Sequence, residues 1–258
     1  RFRPGTDAVP FEQMLEIDRW ALAQKERLVK KCLKGYEDYQ FHQVYSALYH
    51  FCTVDMSSFY LDILKDRLYT HGTHAPSRRS AQTALWEILD AFTRLIAPIL
   101  PFTAEEVYGA MVEGLPPQQR ADSVHVLLFP HYTGKGVDAA LIAEYERLRE
   151  VRESVLKSLE GVRQAGGIGN ALEARVRLRC SGDMASLLMR HRDELRYIFI
   201  VSRVDVEAMA DGDLQVEVLR AEGKKCERCW NYSPEVGTSA DYPTLCERCV
   251  PVVQGMNR

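Results

Sequence analysis

The feature that most limits what this chain can fold into is a spacing of cysteines near its end. Cys226-Glu-Arg-Cys229 and Cys246-Glu-Arg-Cys249 form two C-x2-C pairs separated by sixteen residues. A C-x2-C turn aims two side chains at one point, so two such turns can carry four thiolates to the corners of a tetrahedron. The intervening residues include Pro234, Gly237 and Pro243, which suit a hairpin-like excursion that returns the chain to the first pair. Closed tetrahedral thiolate coordination is that of structural zinc, so Cys226, Cys229, Cys246 and Cys249 are predicted to hold one Zn2+ ion. With no open position for water, such a site does not support hydrolysis. Binding of roughly 10–16 kcal/mol at neutral pH can fold a module with almost no core of its own.

The competing readings fit less well. Two disulfides need an oxidising compartment, and seven cysteines cannot all pair. A thioredoxin-like site needs one C-x2-C at a strand-to-helix turn, not two matched pairs. Zinc in a reducing compartment, the cytoplasm, is the expectation. Cys32, Cys52 and Cys180 lie on apolar stripes and read as core residues.

Upstream, from Pro10 to about Met111, apolar residues recur with a helical period. Met56, Phe59, Tyr60, Ile63 and Leu64 form one stripe, Leu85, Ile88, Leu89, Phe92, Leu95, Ile96 and Ile99 another, and Val44, Leu48, Phe51 and Cys52 a shorter one. Breakers separate them at Lys34-Gly35 and at Thr70-His-Gly-Thr-His-Ala-Pro76. Ser77 is the expected N-cap of the helix that follows, and Thr103-Ala-Glu-Glu106 has the spacing of a capping box. The pattern predicts four or five amphipathic helices packed as a bundle over residues 1–130. Gly114 to Ser123 breaks the helical pattern, and His125 to Pro130 reads as short and extended.

Residues 131–219 read as a small α+β junction domain. A long helix is predicted from about Asp138, with Leu141, Leu148, Val151, Val155, Leu159 and Val162 on one side, ending at Gly166-Gly-Ile-Gly169. Then Leu172, Ala174, Val176, Leu178 and Cys180 alternate with Glu173, Arg175, Arg177 and Arg179, the period of a half-buried strand. Tyr197 to Val201, Val204 to Val206 and Leu214 to Leu219 read as further strands, with a short helix near Met184 to His191. The four-cysteine zinc ribbon occupies 220–258. The fold class is therefore multi-domain and mainly α: helical bundle, α+β junction domain, zinc ribbon.

Composition narrows the function. The chain has 258 residues, 46% hydrophobic and 27% charged, with net charge −3, which excludes disorder and a generic polyanion binder. No stretch approaches the ~20 apolar residues of a membrane span. By segment the net charge is −2 over 1–130, −2 over 131–219 and +1 over 220–258. The last segment places Trp230 beside a metal turn among Lys224, Lys225, Arg228 and Arg248. An indole so placed can stack an unpaired base while cations hold phosphates, or it can fill the ribbon's small core. Arg175, Arg177 and Arg179 form either a solvated strand face or an RNA-facing strip.

Other chemistry finds no support in the residues. Gly166-Gly-Ile-Gly169 follows a helix and precedes a strand, the reverse of a dinucleotide fingerprint. There is no P-loop and no G-x-S-x-G. His71 and His74 lack acidic or thiol neighbours for a second metal, and Asp18, Asp55, Asp62 and Asp66 read as solvated helix-face residues. No catalytic or cofactor-binding residue emerges. Arg1 and the absence of a signal peptide suggest a piece of a longer polypeptide.

In combination the segments are distinctive. Ala97-Pro-Ile-Leu-Pro-Phe-Thr-Ala-Glu-Glu-Val-Tyr108 resembles the close of the anticodon-binding bundle of class I aminoacyl-tRNA synthetases for branched aliphatic amino acids. Ile17-Asp-Arg-Trp20, Tyr39-Gln-Phe-His42, Phe59-Tyr-Leu-Asp-Ile-Leu-Lys-Asp-Arg67, Arg78-Arg-Ser-Ala-Gln-Thr-Ala-Leu85, Ile168-Gly-Asn-Ala-Leu-Glu-Ala174 and both cysteine turns resemble bacterial isoleucyl-tRNA synthetases, in order. The four-cysteine motif alone is also similar to the finger of formamidopyrimidine-type DNA glycosylases. The resemblance implies the C-terminal part of a synthetase. It lacks the HIGH-like and KMSKS-like motifs, so catalysis with ATP and Mg2+ would belong to the intact enzyme and this chain alone would be inactive. It further implies tRNA-Ile and the enzyme's own catalytic domain as partners, no membrane, and a monomer. Trp230 would stack on the anticodon loop, with Arg228, Lys225 and Arg248 on phosphates or bases. The alternative is a stand-alone zinc-ribbon nucleic-acid-binding module with a DNA-repair-type finger.

Overall fold

A computed structural model describes residues 2–113 and 115–256. Arg1, Gly114, the breaker named above, and residues 257–258 lie outside the described residues. The chain divides into two compact units, Arg1–Leu68 with Thr73–Ile142, and Tyr69–Gly72 with Ala143–Arg258.

The first unit is helical. It contains α1 (Pro4–Asp7), α2 (Glu16–Glu37), α3 (Phe41–His50), a π-helical stretch (Phe51–Tyr60) leading into α4 (Leu61–Thr70), all but the last two residues of which belong to it, α5 (Pro76–Ile96) and α6 (Pro101–Val112). Its core forms where the stripes meet. Trp20 is fully buried, with the Phe59 ring edge-on at 5.1 Å and Tyr60 behind it. Met56, Phe59, Tyr60, Ile63 and Leu64 are all buried, as the period requires. α2 and α3 approach closely at Gly35, where an added Cβ would meet Val44 Cγ2 at 2.7 Å.

Several local expectations are corrected. Of the predicted stripe, Ile88, Leu95 and Ile96 are buried in α5 together with Ala81, Ala84 and Ala91, whereas Leu89 and, beyond the helix, Ile99 are exposed. Small residues admit a neighbouring helix closely, so the three alanines share the contact with the larger residues of the stripe. α5 begins at Pro76 with Ala75 as its cap, because proline at the first helical position loses no hydrogen bond; Ser77 lies inside the helix. For the same reason α6 begins at Pro101, ahead of the Thr103 capping box. His125–Pro130 is extended only in part: a 3-10 turn capped by Ser123 spans Val124–Val126, and the backbone is extended again at Leu127. Asp18 is not solvated. It is buried, accepting from Tyr60 Oη at 2.7 Å, Arg67 Nη2 at 2.7 Å and Nη1 at 2.9 Å, and Ser80 Oγ at 2.5 Å. A charge taken from water is tolerated only with partners on every side, and no helical period reveals partners so distant in sequence. Asp55 is buried too, while Asp62 and Asp66 are half-exposed.

The second unit holds most of α7 (Ala139–Gln164), whose Tyr145, Leu148, Val151, Val155 and Leu159 are buried. Asp138 Oδ1 caps it, accepting from the Ala140 and Leu141 N–H groups. Strand β1 (Ala174–Cys180), with α8 (Gly182–Arg190), α9 (Arg192–Phe199), β2 (Arg203–Ala208) and β3 (Gln215–Arg220), completes a three-stranded sheet ordered β2-β1-β3. β1 runs parallel to β2 and antiparallel to β3, pairing Leu178 with Val206 and Val216. Tyr197–Val201 is not a strand. It is the end of α9, closed by Ile200 at φ +57°, with Ile200 N–H donating to Tyr197 O and Val201 N–H to Arg196 O. That pair of bonds is the Schellman closure, usually built on glycine. Leu195, Ile198 and Phe199, at helical spacing, are the residues it buries.

Candidate metal centre and nucleic-acid interface

The ribbon begins with a hairpin, β4 (Lys224–Lys225) against β5 (Tyr232–Ser233), and ends in α10 (Cys249–Met256). Gly223, at φ +89°, starts it, and an added Cβ would fall 2.2 Å from the Ser233 carbonyl carbon. Each cysteine turn is drawn in by backbone bonds: Trp230 N–H to Cys226 O at 2.8 Å, and Cys249 N–H to Cys246 O at 2.9 Å. The four Sγ atoms lie within 4.8 Å of one another and all four residues are buried. Cys229 and Cys246 sulfurs are 3.6 Å apart. A tetrahedron of Zn–S bonds near 2.3 Å has edges of about 3.8 Å, so the donor set fits one zinc ion. Among the described residues no other group of three or more His, Cys, Asp or Glu could hold a metal, and His71 and His74 form none.

The charges around the sulfurs are matched. Cys229 has its thiol pushed far down because the Cys246 and Cys249 thiols donate to its sulfur, and Arg248 adds to this; Cys246 and Cys249 are correspondingly pushed up. The Cys246 N–H points at Cys226 Sγ from 3.3 Å. Arg228 Nη1 donates to Cys249 Sγ at 3.5 Å and to the Thr70 carbonyl at 2.5 Å. Arg248 lies with its guanidinium 5.6 Å from the Tyr197 ring and donates to its hydroxyl at 3.3 Å. Four thiolates around Zn2+ carry a net −2, and two guanidiniums offset it. Glu247, in the second turn, accepts from Ser233 Oγ at 2.8 Å and ties that turn to the hairpin. Sequence reasoning did not find Tyr197, Ser233 or Glu247 as supports. The repeated Cys-Glu-Arg-Cys was the available signal, since one acid and one base recur at matching places in both turns.

The other three cysteines behave differently. Burial pushes the Cys32 thiol up to about 11 despite Lys31 beside it, and raises Cys52 and Cys180 as well. They stay protonated and unreactive at neutral pH.

Trp230 is 60% exposed, so it does not fill the ribbon core; Val236 and the cysteines do. Its backbone is left-handed, φ +65°, the conformation that closes the first cysteine turn. Lys225 Nζ lies 5.3 Å from the indole centroid. A flat ring with a cation at its side is thus presented to solvent. Arg228 and Arg248 are half-buried, Arg228 with one edge on the Cys249 sulfur and Arg248 with one edge on the Tyr197 hydroxyl. The sheet arginines are engaged: Arg175 with Asp205 and Glu222, Arg177 with Glu217 at 2.9 Å and Glu207 at 3.2 Å, and Arg179 with Glu207 at 2.9 Å.

Comparison with known proteins agrees with this architecture. Residues 18–178 match the family described as the anticodon-binding domain of tRNA ligase, and residues 223–252 match the zinc finger found in FPG and IleRS. The chain is 50% identical over 98% of its length to an isoleucine–tRNA ligase of Syntrophotalea carbinolica, 45% over 95% to that of Carboxydothermus hydrogenoformans, and 41% over 98% to that of Thermotoga maritima. It spans only 27–28% of the length of those relatives. A helical unit followed by a closed four-thiolate ribbon, matched across almost the whole chain, places it: the chain belongs to the anticodon-binding domain family of tRNA ligases, with one structural zinc in its terminal finger.

Proposed function

We propose that this chain is the tRNA-recognition portion of an isoleucine–tRNA ligase, gripping the anticodon stem-loop of tRNA-Ile while the catalytic domain of the same enzyme attaches isoleucine with ATP and Mg2+. The observation that carries the reading is Trp230, an exposed indole on a rigid metal turn with Lys225 beside it. Unpaired anticodon bases can be splayed onto such a ring, whereas paired bases in a duplex cannot. In this reading 1–130 is the anticodon-binding bundle, 131–219 the junction and 220–258 the ribbon. Zn2+ held by Cys226, Cys229, Cys246 and Cys249 fixes the ribbon. Trp230 stacks on a base, Lys225 meets phosphate, and Arg228 and Arg248 do so with the donors their thiolate contacts leave over, a guanidinium having five. The protein works as a monomer in the cytoplasm. Among the described residues no helix is long and apolar enough to cross a membrane.

The test is binding of the zinc-loaded chain to isoleucine tRNA, to its isolated anticodon stem-loop and to duplex DNA at one salt concentration. The stem-loop is expected to bind nearly as well as the whole tRNA, and both better than duplex. Preference for duplex would support a DNA-repair-type finger, which the matched helical family disfavours. Trp230→Ala is expected to weaken stem-loop binding by about 1–3 kcal/mol. Trp230→Gly, which also relieves the left-handed backbone, should weaken it equally while keeping zinc and stability within about 1 kcal/mol of wild type.

A further inference from the structure

Among the described residues, two of the three non-glycine residues with left-handed backbone are exposed aromatics, Trp230 and Tyr39. Tyr39 (φ +58°) closes α2, with Gln40 N–H donating to Gly35 O at 2.7 Å and Tyr39 N–H to Tyr36 O at 3.2 Å. Glycine is the low-strain residue for such a closure, and a side chain that is 81% exposed offers no burial in return. Folding alone gives no reason for a tyrosine there.

The same surface continues along α3. Phe41, Tyr45 and Tyr49, at i, i+4 and i+8, are 53%, 61% and 59% exposed. Tyr45 and Tyr49 rings lie nearly parallel, 6.0 Å apart, and the Tyr39 and Phe41 rings stand edge-on at 6.2 Å. The remaining exposed residues of α3 are His42, Gln43, Ser46 and His50, with no aliphatic side chain among them. A helix face that docks into a protein groove presents branched aliphatic knobs as well as rings; here every apolar group is a flat ring with polar neighbours. Rings in several orientations suit bases splayed apart, each of which offers a π-face. The face lies wholly within the segment matched to the anticodon-binding family.

We propose that Tyr39, Phe41, Tyr45 and Tyr49 form a second base-stacking surface, which receives unpaired bases of the anticodon loop. This rests on the tRNA-binding reading above and names the bundle face that serves it. The face carries no lysine or arginine, so its contribution is stacking and is nearly independent of salt.

The experiment uses the full zinc-loaded chain and an anticodon stem-loop carrying the fluorescent base 2-aminopurine at single loop positions. Tyr45→Ser/Tyr49→Ser is expected to raise Kd about tenfold or more and to abolish quenching at one or more loop positions, with the slope of log K against log salt unchanged. Tyr39→Gly should raise Kd about fivefold or more while the chain unfolds no earlier than wild type. Tyr45→Trp should keep wild-type binding and Tyr45→Leu should lose it, because an apolar side chain without a π-face cannot stack. Wild-type binding that the serine double variant leaves intact would overturn this proposal and spare the tRNA reading. A wild-type chain that binds no stem-loop removes both. Concentration-dependent self-association in sedimentation velocity, lost in the serine variant while RNA binding persists, would make the face a contact between copies and overturn the proposal.

Discussion

Glu26 shows how much a single buried side chain can decide. Its Oε2 accepts from Thr133 N–H at 2.9 Å, Thr133 Oγ1 at 3.0 Å and Gly134 N–H at 3.0 Å, while Lys25 Nζ stands 3.2 Å from Oε1. Burial pushes the carboxyl up, but the Thr133 backbone bond and the Lys25 charge outweigh it and hold the group below its ordinary 4.5. A depressed carboxyl stabilises the fold above its unfolded value, and that stabilisation is lost as pH falls through the folded one. Glu26→Gln should therefore lower stability at pH 7 by about 1–3 kcal/mol in urea unfolding, with the gap closing below about pH 4. A gap unchanged down to pH 3 would show that shape rather than charge is responsible. None of this was legible in the sequence: the partners lie 107 and 108 residues away in a loop. The cysteine ligands were legible because their function requires local spacing, as with Cys226 and Cys229.

Among the elements, the ribbon depends most on something other than a core. Its buried apolar cluster is four cysteines, Val236 and part of Leu245. Stripping zinc leaves four thiols that cannot ionise together, so the module loses what holds it. Chelation is expected to expose the amides of 223–256 to hydrogen exchange while α2 and α5 keep theirs. Equal loss of protection in both regions would refute a metal-folded module. Gly223→Ala should speed zinc loss to chelator about tenfold or more, since the added methyl would overlap the Ser233 carbonyl. The elements also mark where periodicity misleads. Tyr-Ile-Phe-Ile-Val, 197–201, is as good a strand as a sequence offers; it is helix because Leu195, Ile198 and Phe199 reach one buried side together and a Schellman closure ends it.

At the scale of the molecule, a net charge of −3 limits how RNA can be held. The sheet arginines are engaged by carboxylates and Arg228 has one donor on a cysteine sulfur, so this part of the positive charge is already partly matched within the chain. Binding by stacking with two to four phosphate contacts predicts a slope of log K against log salt of roughly −1.5 to −3. A slope steeper than about −6 would mean that affinity comes from charge, and that the exposed rings are secondary.

The sequence by itself determined the helical bundle, the half-buried strand at 174–180, the long helix after Asp138 and the four zinc ligands. Each is written in a local period or spacing, 3.6 residues, two residues, or C-x2-C, which backbone geometry converts directly into a face or a point. Only the tertiary structure decided that Asp18 is a buried hub, that Ala81, Ala84 and Ala91 share the contact face of α5, that Arg175, Arg177 and Arg179 are paired, and that Trp230 and Tyr39 stand in solvent. Burial and ion pairing are set by residues far apart in the chain, and the exposure of a ring is set by what fails to cover it. Sequence periodicity contains neither.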